Sequence, residues 1–196
     1  MEELIFNEEN HTYKYCNCII PSVTEILSIL SDEIYGKLDI NTIRKASEKG
    51  SKVHYQTEMY DLYKLLEYDE ETEGYMKAYL KFLEDYKPEV IMVEQKVYHR
   101  KMLYAGTLDR LYRINGVNVL VDIKTTSRTY EKLVMLQNTA YAMCVDLLFP
   151  QYRVDDLAIL HLKNDGTYEF KFVPRREDLF ITIYKTYNMK KTLLGD

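Results

Sequence analysis

The apolar positions of this 196-residue chain change period part-way along. Leu4-Ile5-Phe6 and Thr12-Tyr13-Lys14-Tyr15 read as short strands around a polar turn at 7–10, a small N-terminal hairpin. Ser22 and Glu25 are spaced as a capping box ahead of Ile26, Leu27 and Leu30, which predicts a helix after Pro21. Helical pieces follow at 41–47 and about 51–66, with Gly50 expected to interrupt them, and at about 72–86, where Pro88 ends the run. From there the pattern turns to strands at 90–93, 104–114 and 117–123. A helix is expected at about 130–148, strands at 157–162 and 168–173, and a closing helix at about 176–193. The order predicts an α+β fold in a single domain spanning 1–196, with a hairpin and helices in 1–88 and a sheet core with C-terminal helices in 89–196.

Composition narrows the function classes. The 46% apolar and 29% charged content is that of a globular protein, and no run approaches the ~18 apolar residues of a membrane helix. The acidic start, MEELIFNEEN, is unlike a signal peptide, and three cysteines cannot close a disulfide framework; both point to a reducing, cytoplasmic setting. A net charge of −5 argues against coating nucleic acid by bulk charge, but it is unevenly spread. Residues 1–98 hold 11 Lys/Arg against 20 Asp/Glu, whereas 99–196 hold 15 against 11.

Asn115-Gly116 is a strong two-residue hairpin signal. With that turn, opposed residues have numbers summing to 231, so Asp109 faces Asp122 and Thr107 faces Lys124. Val117, Val119, Val121 and Ile123 then form an apolar row on the other face. Opposed carboxylates repel. Either a hard divalent cation such as Mg²⁺ or Mn²⁺ offsets the repulsion, or Arg110, Arg113 or Lys124 neutralises the pair. A turn at 99–102 would set Glu94 opposite Thr107 and beside Lys124, where Glu94 either pairs with the lysine or reaches the ion through water.

Tyr104-Ala105-Gly106-Thr107-Leu108-Asp109, followed by Val121-Asp122-Ile123-Lys124-Thr125, resembles the core motif of the PD-(D/E)XK nuclease superfamily. Three further stretches are similar to its RecB-like exonuclease branch: Lys49 to His54 with Glu58 one turn later, Gln137 with Tyr141 on the following helix, and Pro21 to Leu27, which resembles small phage-type and mitochondrial genome maintenance exonucleases. Together they span about 21–141 in the family's order.

The resemblance implies a nuclease core, a central mixed β-sheet flanked by helices. It implies metal binding by His54, Asp109, Asp122 and the Ile123 carbonyl, with one or two Mg²⁺ or Mn²⁺ ions. Lys124 would position the attacking water, and Glu94 joins the catalytic set. It further implies DNA backbone contacts or support of the metal site from Gln137 and Tyr141, although Tyr141 equally suits core packing. Arg100, Lys101, Arg128 and Lys132 flank the site as candidate phosphate contacts. The expected activity is phosphodiester hydrolysis at ends of single-stranded DNA in replication, recombination or repair, in a phage setting or beside a replication or recombination protein. An endonuclease and an inactive DNA- or protein-binding module are the alternatives. Relatives that hold an iron–sulfur cluster use four cysteines; with only Cys16, Cys18 and Cys144, no cluster is expected.

Overall fold

The computed structural model describes residues 4–8, 10–35, 39–126 and 129–195. Strands β1 (Leu4–Asn7), β2 (Thr12–Tyr15) and β3 (Cys18–Ile20) form a small antiparallel sheet in chain order. The sequence pattern showed only its first hairpin. The second turns through Cys16 (φ 49°) and Asn17 (φ 63°), two left-handed residues without the usual glycine. Helix α1 (Val23–Tyr35) opens as expected, with the Glu25 N–H donating to Ser22 Oγ at 3.0 Å. The reciprocal half of the box is absent: the Glu25 carboxylate instead accepts from Tyr187 of the last helix.

Helix α2 (Ile40–Tyr63) runs straight through Gly50, which corrects the expected break. Glycine weakens a helix by only about 1 kcal/mol, and tertiary packing overrides that. A Cβ at this position would make only an ordinary contact, 3.5 Å from Thr125 Oγ1. Helix α3 (Glu73–Tyr86) stops at left-handed Lys87 before Pro88. Strands β4 (Glu89–His99), β5 (Tyr104–Ile114) and β6 (Val117–Lys124) follow, then α4 (Glu131–Leu148), β7 (Asp156–Leu162), β8 (Tyr168–Val173) and α5 (Glu177–Leu194).

The main sheet has the order β4-β5-β6-β7-β8 and is mixed. β6 and β7 are parallel, as strands joined by a crossover helix must be, and every other pair is antiparallel. On one face, Val23 and Ile26 of α1, Leu136 and Ala140 of α4 and Phe180 of α5 pack with Leu108, Leu111 and Leu120. On the other, Val53 of α2 and Met76, Tyr79 and Phe82 of α3 cover the expected row Val119, Val121 and Ile123. The fold is therefore α+β, a five-stranded mixed sheet between helices. Among the described residues no helix is long and apolar enough to cross a membrane.

The β5–β6 hairpin follows the expected register from Arg110↔Val121 to Ile114↔Val117, closed by Asn115 (φ 50°) and Gly116 (φ 84°), but the ladder ends there, so the expected pairs Asp109–Asp122 and Thr107–Lys124 are not part of it. The β4–β5 register does not follow the expectation. Lys96, not Glu94, faces Thr107, so the row Glu94–Thr107–Lys124 does not form. The turn is displaced because His99 still pairs with Tyr104, leaving 100–103 as the loop, with the Leu103 N–H on the His99 carbonyl at 2.7 Å.

The two strands also switch phase at one level. Leu108 and Leu111, three apart, lie in the α4-side core, while Tyr112 and Ile114 lie in the opposite one. Across the pair, the ladder steps from Val93↔Arg110 to Gln95↔Leu108 without joining Glu94 to Asp109, and Glu94 has φ 42°. The pairing register is the same on both sides of this step; its shift lies between Val90 and Met92, leaving Ile91 unpaired in the ladder.

Candidate active site

The phase switch lies where α2 crosses the sheet. His54 of α2 brings Nδ1 to 3.4 Å from Glu94 Oε1 and 3.8 Å from Asp109 Oδ1, and its Nε2 lies 3.0 Å from the Ile123 carbonyl. Ligand atoms of His54, Glu94 and Asp109 all fall within 4.8 Å of one another. Asp109 Oδ2 accepts the Ile123 N–H at 2.7 Å. The carboxylate thus takes a β6 donor just beyond Arg110↔Val121, the last backbone pair.

Asp122 lies next to this cluster but outside it. It is only 2% exposed, Lys124 Nζ sits 2.7 Å from its Oδ2, and among the described residues its Oδ1 has no hydrogen-bond partner. Burial raises its pKa to about 6; Asp109 adds to the rise and Lys124 opposes it. Burial works to lower the His54 pKa, but Asp109 and Glu94 outweigh it and carry the imidazole up to about 9. A proton on His54 therefore balances the carboxylates where a cation would. Imidazole, carboxylates and a buried orphan oxygen make a donor set that fits Mg²⁺ or Mn²⁺.

Glu94, expected beside Lys124, is gripped by Arg110 Nη1 at 2.9 Å. Tyr141 is 4% exposed, packed over Gly106, and accepts from Gln137 Nε2 at 3.2 Å. A groove of about 1640 Å³ opens beside the cluster, lined by Lys45, Lys49, Tyr55, Glu94, Lys124 and Tyr130 among others. Arg100 and Lys101, in the β4–β5 loop, and Lys132, in the first turn of α4, are not among the lining residues. Arg128 falls outside the described residues.

Lys45 was not singled out from the sequence, and Lys49 was named only as the start of the histidine stretch, neither as a groove residue. Their i,i+4 spacing was the available signal, obscured by reading a break at Gly50. Asp61 and Arg110 also went unrecognised as partners, joined at 2.6 Å across 49 residues.

No protein-family model and no curated protein matches this chain. Among solved structures it is similar to LHK-Exo in complex with dAMP, at 13% identity and a TM-score of 0.45, covering 86% of this chain and 83% of that one. It is also similar to the alkaline exonuclease LHK-Exo from Laribacter hongkongensis, at 12% identity and a TM-score of 0.41, covering 71% and 78%.

Proposed function

We propose that the protein is a metal-dependent DNA nuclease of the RecB-like branch of the PD-(D/E)XK superfamily, acting on ends of single-stranded DNA. The observation that supports this most is the convergence of His54, Glu94 and Asp109 beside Asp122, whose buried Oδ1 has no partner among the described residues and whose Oδ2 meets Lys124. A buried carboxylate oxygen without a partner is costly unless a ligand completes it. His54, Glu94 and Asp109, with Asp122 and the Ile123 carbonyl beside them, would hold one or two Mg²⁺ or Mn²⁺ ions. When bound, such ions acidify water and polarise a phosphoryl oxygen.

The remaining work falls to side chains of the chain. Lys124, steadied by Asp122, orients the attacking water and offsets developing charge. Lys45 and Lys49 along the groove meet the phosphates of the strand, and exposed Tyr55 offers a ring to an unpaired base.

The test uses end-labelled linear and covalently closed circular single strands with Mg²⁺, Mn²⁺ or EDTA. Degradation of linear strands only, with a divalent ion, and its loss in Asp122→Ala and Lys124→Ala are expected. Cutting of circles would make it an endonuclease. Binding without cleavage would make it a binding module, and full activity in EDTA would overturn the mechanism.

A further inference from the structure

Arg110 is a fully buried arginine in the strand that carries Asp109, and its guanidinium joins two carboxylates. Nε donates to Asp61 Oδ2 at 2.6 Å and Nη2 to Thr57 Oγ1 at 2.9 Å, both on α2. Nη1 donates to Glu94 Oε1 at 2.9 Å and to the Asp109 carbonyl at 2.7 Å. Asp61 Oδ2 also accepts from Tyr79 at 2.5 Å and Tyr112 at 3.2 Å. The Asp61 and Arg110 side chains are both 0% exposed, whereas Glu94 retains 24% exposure towards the groove.

We infer that Asp61 and Arg110 form a neutral buried strut that positions Glu94 in the metal cluster and keeps the arginine's charge from repelling the ion. The inference rests on the metal-binding reading above. A guanidinium one hydrogen bond behind Glu94 holds that carboxylate in place, but its positive charge also opposes any cation the carboxylate binds. Asp61, on the far side of the same guanidinium, cancels that charge without reaching the ion. Glu94 needs such an external hold because its own backbone is left-handed, with φ 42°, a region glutamate rarely adopts. Arginine suits the place because its planar fork serves Asp61, Thr57 and Glu94 at once, which lysine's point charge does not.

Asp61 and Arg110 are positioning residues, so the readout is metal affinity. Mn²⁺ binding is measured by electron paramagnetic resonance on folded wild type and Asp61→Asn, beside the Mn²⁺ dependence of cleavage. Asp61→Asn keeps the shape but leaves Glu94 as the one carboxylate facing the Arg110 charge among the described residues. A rise of about tenfold in Mn²⁺ Kd and in half-saturating Mn²⁺ is expected, with cleavage recovering at saturating metal. Thr57→Val, which frees Nη2 and is milder on folding, should weaken binding about threefold.

Unchanged Mn²⁺ affinity in a folded Asp61→Asn, or cleavage depressed equally at all metal concentrations, overturns the strut. If Asp61→Asn does not fold, unchanged affinity in Thr57→Val overturns it. Wild type that binds no Mn²⁺ overturns the metal site itself, a distinguishable result.

Discussion

Tyr141 lies against Gly106 so closely that a Cβ on the glycine would come 2.5 Å from ring atom Cε1. The glycine of the G-T-x-D stretch and the tyrosine of the Q-x-x-x-Y stretch are thus two halves of one contact. The ring is buried and held by Gln137, so it has little room to retreat. Gly106→Ala is expected to destabilise the fold by about 1–3 kcal/mol through overpacking. In Tyr141→Ala the added methyl should meet no ring and cost much less, a coupling that a double-mutant cycle by denaturant unfolding measures.

Asp122→Asn should separate stability from activity. An unfolded aspartate titrates near 3.8 and Asp122 in the fold at about 6, because burial favours the neutral form. The metal-free protein therefore has this contribution in full below pH 3.8 and loses it, by up to about 3 kcal/mol, as pH rises through 6. At pH 8 without metal, Asp122→Asn should melt above wild type, with little difference at pH 4, and should show no nuclease activity. A lower melting temperature at pH 8 would contradict the burial argument.

His54 gives the opposite sign. Its folded pKa of about 9 lies above the ordinary 6.5, so its stabilising charge is present below 6.5 and lost as pH rises through 9. A divalent ion needs the neutral imidazole and must displace that proton. Calorimetric titration of Mg²⁺ or Mn²⁺ at pH 7.5, in buffers of different ionisation enthalpy, should report release of about one proton per ion. Apparent affinity should rise with pH up to about 9, and His54→Gln should abolish both effects.

Gly116 supplies a control remote from the chemistry. Its φ of +84° is left-handed, and a Cβ there would meet nothing within 4 Å among the described residues, so the effect of a side chain is conformational. Gly116→Ala should lower stability by about 1–2 kcal/mol. Cleavage per folded molecule should not change, which thermal melts and the end-labelled assay together would establish.

Local signals were read well in the sequence where they also win energetically. Asn115-Gly116 set the β5–β6 register, Ser22 began α1, and the Val119–Val121–Ile123 row found its core, because turn geometry, capping and alternation act between near neighbours. The Cys16-Asn17 turn was missed because only Asn17 favours a left-handed backbone, and no glycine accompanies it as Gly116 accompanies Asn115. Gly50 misled because one weak propensity was weighed without the packing of α2 on the sheet.

The sequence by itself thus determined the element order apart from β3 and the unbroken α2, the α+β class, the hairpin carrying Asp109, Asp122 and Lys124, and His54 and Glu94 as candidates. Tertiary structure alone decided how they meet. Period-two alternation cannot foresee the phase switch at Glu94 and Asp109, which redirects both carboxylates towards His54. Nor can it foresee Arg110 turning inward to Asp61, since a charge is buried only where a partner distant in sequence neutralises it. Such partners, 40 to 49 residues apart for His54–Glu94 and Asp61–Arg110, are brought together by the packing of α2 on the sheet.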